Sequence, residues 1–162
     1  MLGLADLNRL PTILPTPSLT QLLTKDWPQL VIRHLAVPHS VDLVIGWTDA
    51  PASTDELVHH YQQNRETESD VYQQFLANSQ ATVQQLAQDL ERGDVALIQK
   101  GIAKARQLLR KMTQYWQLPL ETHHLTQLIE IAQSYQYEAK SSGAGGGDCG
   151  IAIGSSHLNR QE

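Results

Sequence analysis

Lys140-Ser-Ser-Gly-Ala-Gly-Gly-Gly-Asp-Cys-Gly-Ile-Ala-Ile153 is the stretch on which the fold and the function of this chain turn. Five glycines between Gly143 and Gly150 lower the steric barrier to positive φ and let neighbouring backbone N–H groups converge on an oxyanion. The spacing predicts a strand over Ala139–Ser142, a loop over Gly143–Gly147 and a second strand over Cys149–Ile153. Such a loop suits a phosphate, with Lys140 and the hydroxyls of Ser141 and Ser142 as further donors beside Gly143, Ala144, Gly145, Gly146 and Gly147. Asp148 is the odd member, because a carboxylate repels phosphate unless a cation or a hydrogen bond intervenes. Composition alone also allows a flexible connector, the weaker of the two readings. Two familiar phosphate motifs are excluded. There is no G-x-x-x-x-G-K-[ST]. Gly145, Gly147 and Gly150 do satisfy G-x-G-x-x-G, but a dinucleotide fingerprint opens a helix, whereas Ile151-Ala152-Ile153 continues as a strand.

Upstream of the glycines the periodicity is helical. Leu125, Leu128, Ile129 and Ala132 predict a helix over roughly 123–135. Val95, Ile98, Ile102, Ala105, Leu109, Met112 and Trp116 recur at three- and four-residue steps and predict another, opening at Asp94 and ended by Pro119. Tyr72, Phe75, Leu76, Val83, Leu86 and Leu90 mark a third over 69–92, broken by Gly93-Asp94. Further upstream, Leu30–Val37 and Val41–Trp47 read as strands, and a short helix is expected after Ser18. Ser53-Thr54-Asp55-Glu56 carries a capping-box pattern. A helix N-terminus attracts anions, so Ser53 and Thr54 join the candidate substrate-binding residues, although Ser53 could simply cap its helix.

Strands thus frame a block of helices, which predicts an α+β fold with a sheet covered by several long helices on one face. Ile151–Ile153 finds no later apolar strand to pair with, so it is expected to present an unpaired edge. Together with Leu2, Leu4 and Leu7, that edge predicts self-association or marginal stability. The expected division is a lead-in over 1–17, a domain over 18–154 and a disordered polar tail over 155–162.

The chain has 162 residues, with 41% hydrophobic and 18% charged residues, which suits one soluble domain. A net charge of −5 argues against nucleic-acid binding, and no apolar run is long enough to predict a membrane span. No secretory signal is visible, and the single cysteine, Cys149, fits a reducing cytoplasm without disulfides. Cys149 reads as a bystander beside a strand rather than a nucleophile. The pairs His59-His60 and His123-His124 place their rings about 100° apart on a helix. Neither pair forms a metal site, and none is predicted.

Taken in order, KSSGAGGGDCGIAI from Lys140, DLVIGWTDAPASTDELV from Asp42, YQQFLANS from Tyr72 and IQKGIAKARQLL from Ile98 resemble the phosphomevalonate kinase family of the GHMP superfamily. The resemblance spans about Leu19 to Ile153. The glycine segment looks like the third GHMP motif, and Asp148 favours this subfamily over mevalonate kinase or diphosphomevalonate decarboxylase. A different class, a non-catalytic anion-binding module, stays open. The resemblance implies a C-terminal ferredoxin-like domain, incomplete at both ends. It also implies transfer of the ATP γ-phosphoryl group to (R)-5-phosphomevalonate with Mg²⁺, on the route to isopentenyl diphosphate. Substrate would meet Lys140 to Asp148, chiefly Ser142, Gly143, Ala144 and Gly145. Two family features have no match here: the P-x-x-x-G-L-G-S-S ATP loop and the S-G-x-x-D segment bearing the catalytic Asp. That role passes to neither Asp49 nor Asp148, so no catalytic residue is assigned. The resemblance therefore implies a C-terminal portion that is inactive alone; whether a separate N-terminal half supplies the rest stays open, and truncation, gene splitting or a frameshift near Gly154 each account for it.

Overall fold

A computed structural model of the chain describes Thr20, residues 34–49, His59 and residues 70–118, 120–143 and 145–156. Two compact units divide the chain at 34/35, and the second carries every element below. Of the helix expected after Ser18, Thr20 alone is described, and it is helical; the capping box with Ser53 and Thr54, the leucines at 2, 4 and 7, and Ala144 lie outside the described residues. Of the strand expected over 30–37, the described part, 34–37, is irregular.

The architecture is α+β. In chain order it runs β1 (Val41–Trp47), α1 (Asp70–Arg92), α2 (Val95–Trp116), α3 (His123–Ser134), β2 (Glu138–Ser141) and β3 (Cys149–Ser155). Local chemistry sets the boundaries. Gly93, at φ +70°, turns the chain out of α1, and the Asp94 carboxylate then accepts from Leu97 N at 3.1 Å to cap α2. Thr122 caps α3 in the same way, accepting from Leu125 N.

The sheet corrects one expectation. β3 is its central strand, antiparallel to β1 on one side and to β2 on the other, so Ile151 pairs with Ile45 and with Lys140. No edge is left open at Ile151. Both partners precede β3 in sequence, and a search for a later strand could not find them. β3 also runs to Ser155, past the predicted end, and Ser156 N donates to the Ser40 carbonyl at 3.0 Å. The apolar edge lies instead on β1, where Ile45 and Trp47 are 68% and 67% exposed.

Helices pack on both faces of β3, not on one. Successive residues of a strand point to opposite sides. Ile153 packs with Leu86 of α1 and with Ile98 and Ile102 of α2. Its neighbour Ala152 packs with Ile129 of α3, Tyr137 and Ala139. Close approach of α3 depends on the paired Gly46 and Gly150, where an added Cβ would meet Leu128 side-chain atoms at 2.4 and 2.7 Å. A third cluster, Tyr72, Trp116 and Leu118, closes the far end of α1 and α2, with Leu120 packed against it.

Candidate functional site

The β2–β3 connection, residues 142–148, is a glycine loop whose shape is fixed by backbone bonds. Ser142 N donates to the Cys149 carbonyl at 2.8 Å and closes its neck. Gly143, Gly145, Gly146 and Gly147 take φ of +59°, +79°, +84° and +136°, the region that side chains disfavour, which explains the glycine run. A phosphate cradle needs positive φ at one residue at least, and here it occurs at four.

Two flanking segments hold the loop. On one side Gly146 N donates to the Leu120 carbonyl at 2.7 Å, and Gly145 N reaches the Ser142 carbonyl at 3.4 Å. On the other, Thr48 donates to the Asp148 carbonyl from both N and Oγ1, at 2.9 Å each. Trp47 Nε1 donates to Asp148 Oδ1 at 3.1 Å. The anomaly of Asp148 is thereby resolved: its carboxylate accepts from the end of β1 and pins the loop. Two of the loop N–H groups, those of Gly145 and Gly146, are engaged within the protein. Those of Gly143 and Gly147 have no acceptor among the described residues.

The other predicted donors differ in access. Ser141 is buried at 7% exposure, whereas Ser142 and Gly143 reach solvent. Lys140 Nζ donates to the Ser141 carbonyl at the loop's neck, and burial pushes its pKa down. Cys149 lies in β3, and its thiol is pushed up by burial and then by the negative charge of Asp148. It is held as a thiol rather than a nucleophilic thiolate. The His123 and His124 rings lie edge to face, 6.2 Å between centroids, and no group of three or more His, Cys, Asp or Glu suited to a metal occurs among the described residues.

Sequence reasoning missed the groups next to Leu120, whose carbonyl holds the loop. Arg106 of α2 forks onto Glu121, Nε to Oε2 at 2.9 Å and Nη2 to Oε1 at 2.6 Å, while Thr126 Oγ1 donates to Oε1 at 3.2 Å. Both charged side chains are mostly buried, at 15% and 14% exposure. Nothing local marks residues 15 positions apart as partners. Trp47 and Thr48, by contrast, stand in the quoted block from Asp42, although no signal there points to Asp148.

The pair makes stability depend on acid. The hydrogen bond from Arg106, its charge and the Thr126 hydroxyl hold the Glu121 carboxyl below the ordinary 4.5, against burial, which raises it. A carboxyl depressed on folding contributes stability that is present above pH 4.5 and is lost as pH falls through its lower folded value. Thermal melts from pH 7 to pH 3 are therefore expected to show a drop in Tm below about pH 4.5, smaller in Glu121→Gln than in wild type. An identical acid slope in both proteins would refute the assignment.

Residues 86–162 match the family model of the GHMP kinases C terminal. Over 131 residues the chain is 37% identical to the phosphomevalonate kinase of Streptomyces sp. (strain CL190), covering 81% of this chain but 35% of that protein. Among solved structures, the Lin0012 protein of Listeria innocua superposes with a TM-score of 0.79 at 31% identity, over 90% of this chain and 41% of that one. The Streptococcus pneumoniae phosphomevalonate kinase in complex with phosphomevalonate and AMPPNP superposes at 0.71 and 34% identity, over 88% of this chain and 40% of that one. The chain thus spans well under half of each of these relatives.

Proposed function

We propose that the chain, whose residues 86–162 match the family model of the GHMP kinases C terminal, forms the substrate-side part of a phosphomevalonate kinase. The reaction is transfer of the ATP γ-phosphoryl group to (R)-5-phosphomevalonate. The carrying observation is the glycine loop, with four residues at positive φ and its base tied down on both sides. Phosphoryl transfer depends on positioning and on electrostatic stabilisation of phosphoryl oxygens. In this reading the N–H groups of Gly143 and Gly147 and the Ser142 hydroxyl face the substrate phosphate. Gly145 and Gly146 shape the loop, Asp148 anchors it, and Lys140 adds positive charge at its neck. Ala144, Ser53 and Thr54 complete the proposed substrate set.

The ATP loop and the catalytic Asp motif of the family have no match in the sequence, so the remaining machinery is proposed to come from an N-terminal half. Mg²⁺ would accompany ATP there. No helix among the described residues is long and apolar enough to cross a membrane, and a cytoplasmic site is proposed on the strength of the single cysteine.

Calorimetric titration of the 162-residue chain with (R)-5-phosphomevalonate tests this reading. Saturable binding is expected, without ADP release when ATP is added. A Cβ on Gly143 meets no protein atom within 4 Å, so Gly143→Ala strains only the backbone and fills the space a phosphate would take. That variant should lose roughly tenfold in affinity, about 1.4 kcal/mol, while remaining folded. No heat from the wild type would refute the proposal. Inorganic phosphate bound as tightly as phosphomevalonate would turn it into a non-catalytic anion-binding module.

A further inference from the structure

Leu120, Glu121 and Thr122 are consecutive residues with three separate tasks. The Leu120 carbonyl accepts from Gly146 N in the glycine loop. The Glu121 carboxylate takes the Arg106 fork, and the Thr122 hydroxyl caps α3. The Leu120 carbonyl belongs to the peptide unit that joins Leu120 to Glu121. Fixing the Glu121 side chain therefore constrains the plane that presents this oxygen to the loop. A bidentate guanidinium–carboxylate pair suits that task, because two parallel bonds set orientation as well as distance. The Thr126 hydroxyl adds a third bond at Oε1, so the carboxylate has little freedom to swing.

The loop, for its part, has no slack against that oxygen. A Cβ built on Gly145 would stand 2.7 Å from it, so the loop backbone already runs in contact with the Leu120 peptide. Movement of the carbonyl transmits directly to Gly145 and Gly146. On the opposite side the loop is tied to Thr48 and Trp47 through Asp148, which leaves the Leu120 side as the one governed by a buried charge pair.

We infer that Arg106 and Glu121 are positioning residues for the glycine loop, acting through the Leu120 carbonyl to hold it in the shape that accepts a phosphorylated ligand. The ligand half of this inference rests on the function proposed above, whereas the mechanical half does not.

The test uses the full chain and reads the two halves separately. Amide hydrogen exchange by NMR is followed at Gly146 and at Ile98 and Ile129, and (R)-5-phosphomevalonate is titrated into the same proteins. In Glu121→Gln, exchange at Gly146 should quicken at least about tenfold while Ile98 and Ile129 keep their protection. Phosphomevalonate affinity should fall by a similar factor. The charge-exchanged double variant Arg106→Glu/Glu121→Arg should recover both readouts relative to either single change, which a loss of bulk packing would not permit. Should Glu121→Gln fail to fold, Arg106→Lys, which keeps the charge and loses the fork, replaces it with the same expectations. Unchanged exchange at Gly146 overturns the inference. So does a uniform rise at all three amides, which marks general destabilisation, or faster loop exchange with unaltered affinity. If the wild type does not bind phosphomevalonate, the proposed function fails on its own, and the exchange comparison still decides whether the pair positions the loop.

Discussion

Ile98→Ala is expected to lower stability by about 2–5 kcal/mol, the range for emptying a fully packed aliphatic site. Ile98 is 0% exposed and meets Leu86 of α1, Ile102 on its own helix and Ile153 of β3. Truncation opens a cavity where two helices and the central strand converge, and neighbours tied to three elements cannot collapse into it together. Against a total stability of roughly 5–15 kcal/mol for a domain, the loss is large. Urea titration gives the measurement, with Ile131→Ala as the control. Ile131 is 62% exposed on α3, so its truncation should stay within about 0.5 kcal/mol. Equal midpoints for the two variants would show that the cluster joining α1, α2 and β3 does not act as a core.

On the proposed function, Gly145→Val should remove phosphomevalonate binding altogether while Ser141→Ala stays within about twofold of wild type, well below the 1.4 kcal/mol that a tenfold change represents. Two penalties add at Gly145. Its φ of +79° is rarely adopted by a β-branched residue, and its Cβ would stand 2.7 Å from the Leu120 oxygen and 3.3 Å from its carbonyl carbon. That neighbour is backbone and cannot rotate aside, so the loop must leave Leu120 and surrender the bond from Gly146. The Ser141 hydroxyl, by contrast, lies on a buried strand position with 7% exposure. Titration calorimetry and thermal melts on both variants make the comparison. A folded Gly145→Val with near-wild-type affinity would reduce the loop to a connector. Because Gly145 also packs against the protein, its loss reports loop geometry, and the space proposed for the ligand is probed at Gly143, where a Cβ has room.

The helices are legible in the local pattern of residues. Three- and four-residue recurrence of apolar side chains, with Asp94 as a cap and Gly93 as a break, places 95–116 and 70–92 within a residue or so of their observed limits. The β1 range, 41–47, agrees throughout. The period of the pattern is the period of the backbone, and the stop signals lie a few residues away. The same holds for the glycine loop, since positive φ at four positions is a property that the residue type licenses.

The sequence by itself therefore determined that 70–92 and 95–116 are helices, that 41–47 is a strand, and where glycine lets the backbone take positive φ. Tertiary structure alone decided that β3 is central, that Asp148 is held by Trp47 across 101 positions, and that the loop leans on a carbonyl steadied by Arg106 and Glu121. Partner choice of that kind depends on which surfaces meet once apolar faces are buried. A hydrogen bond between distant residues leaves no periodic trace, because each partner satisfies its own local pattern equally well without the other.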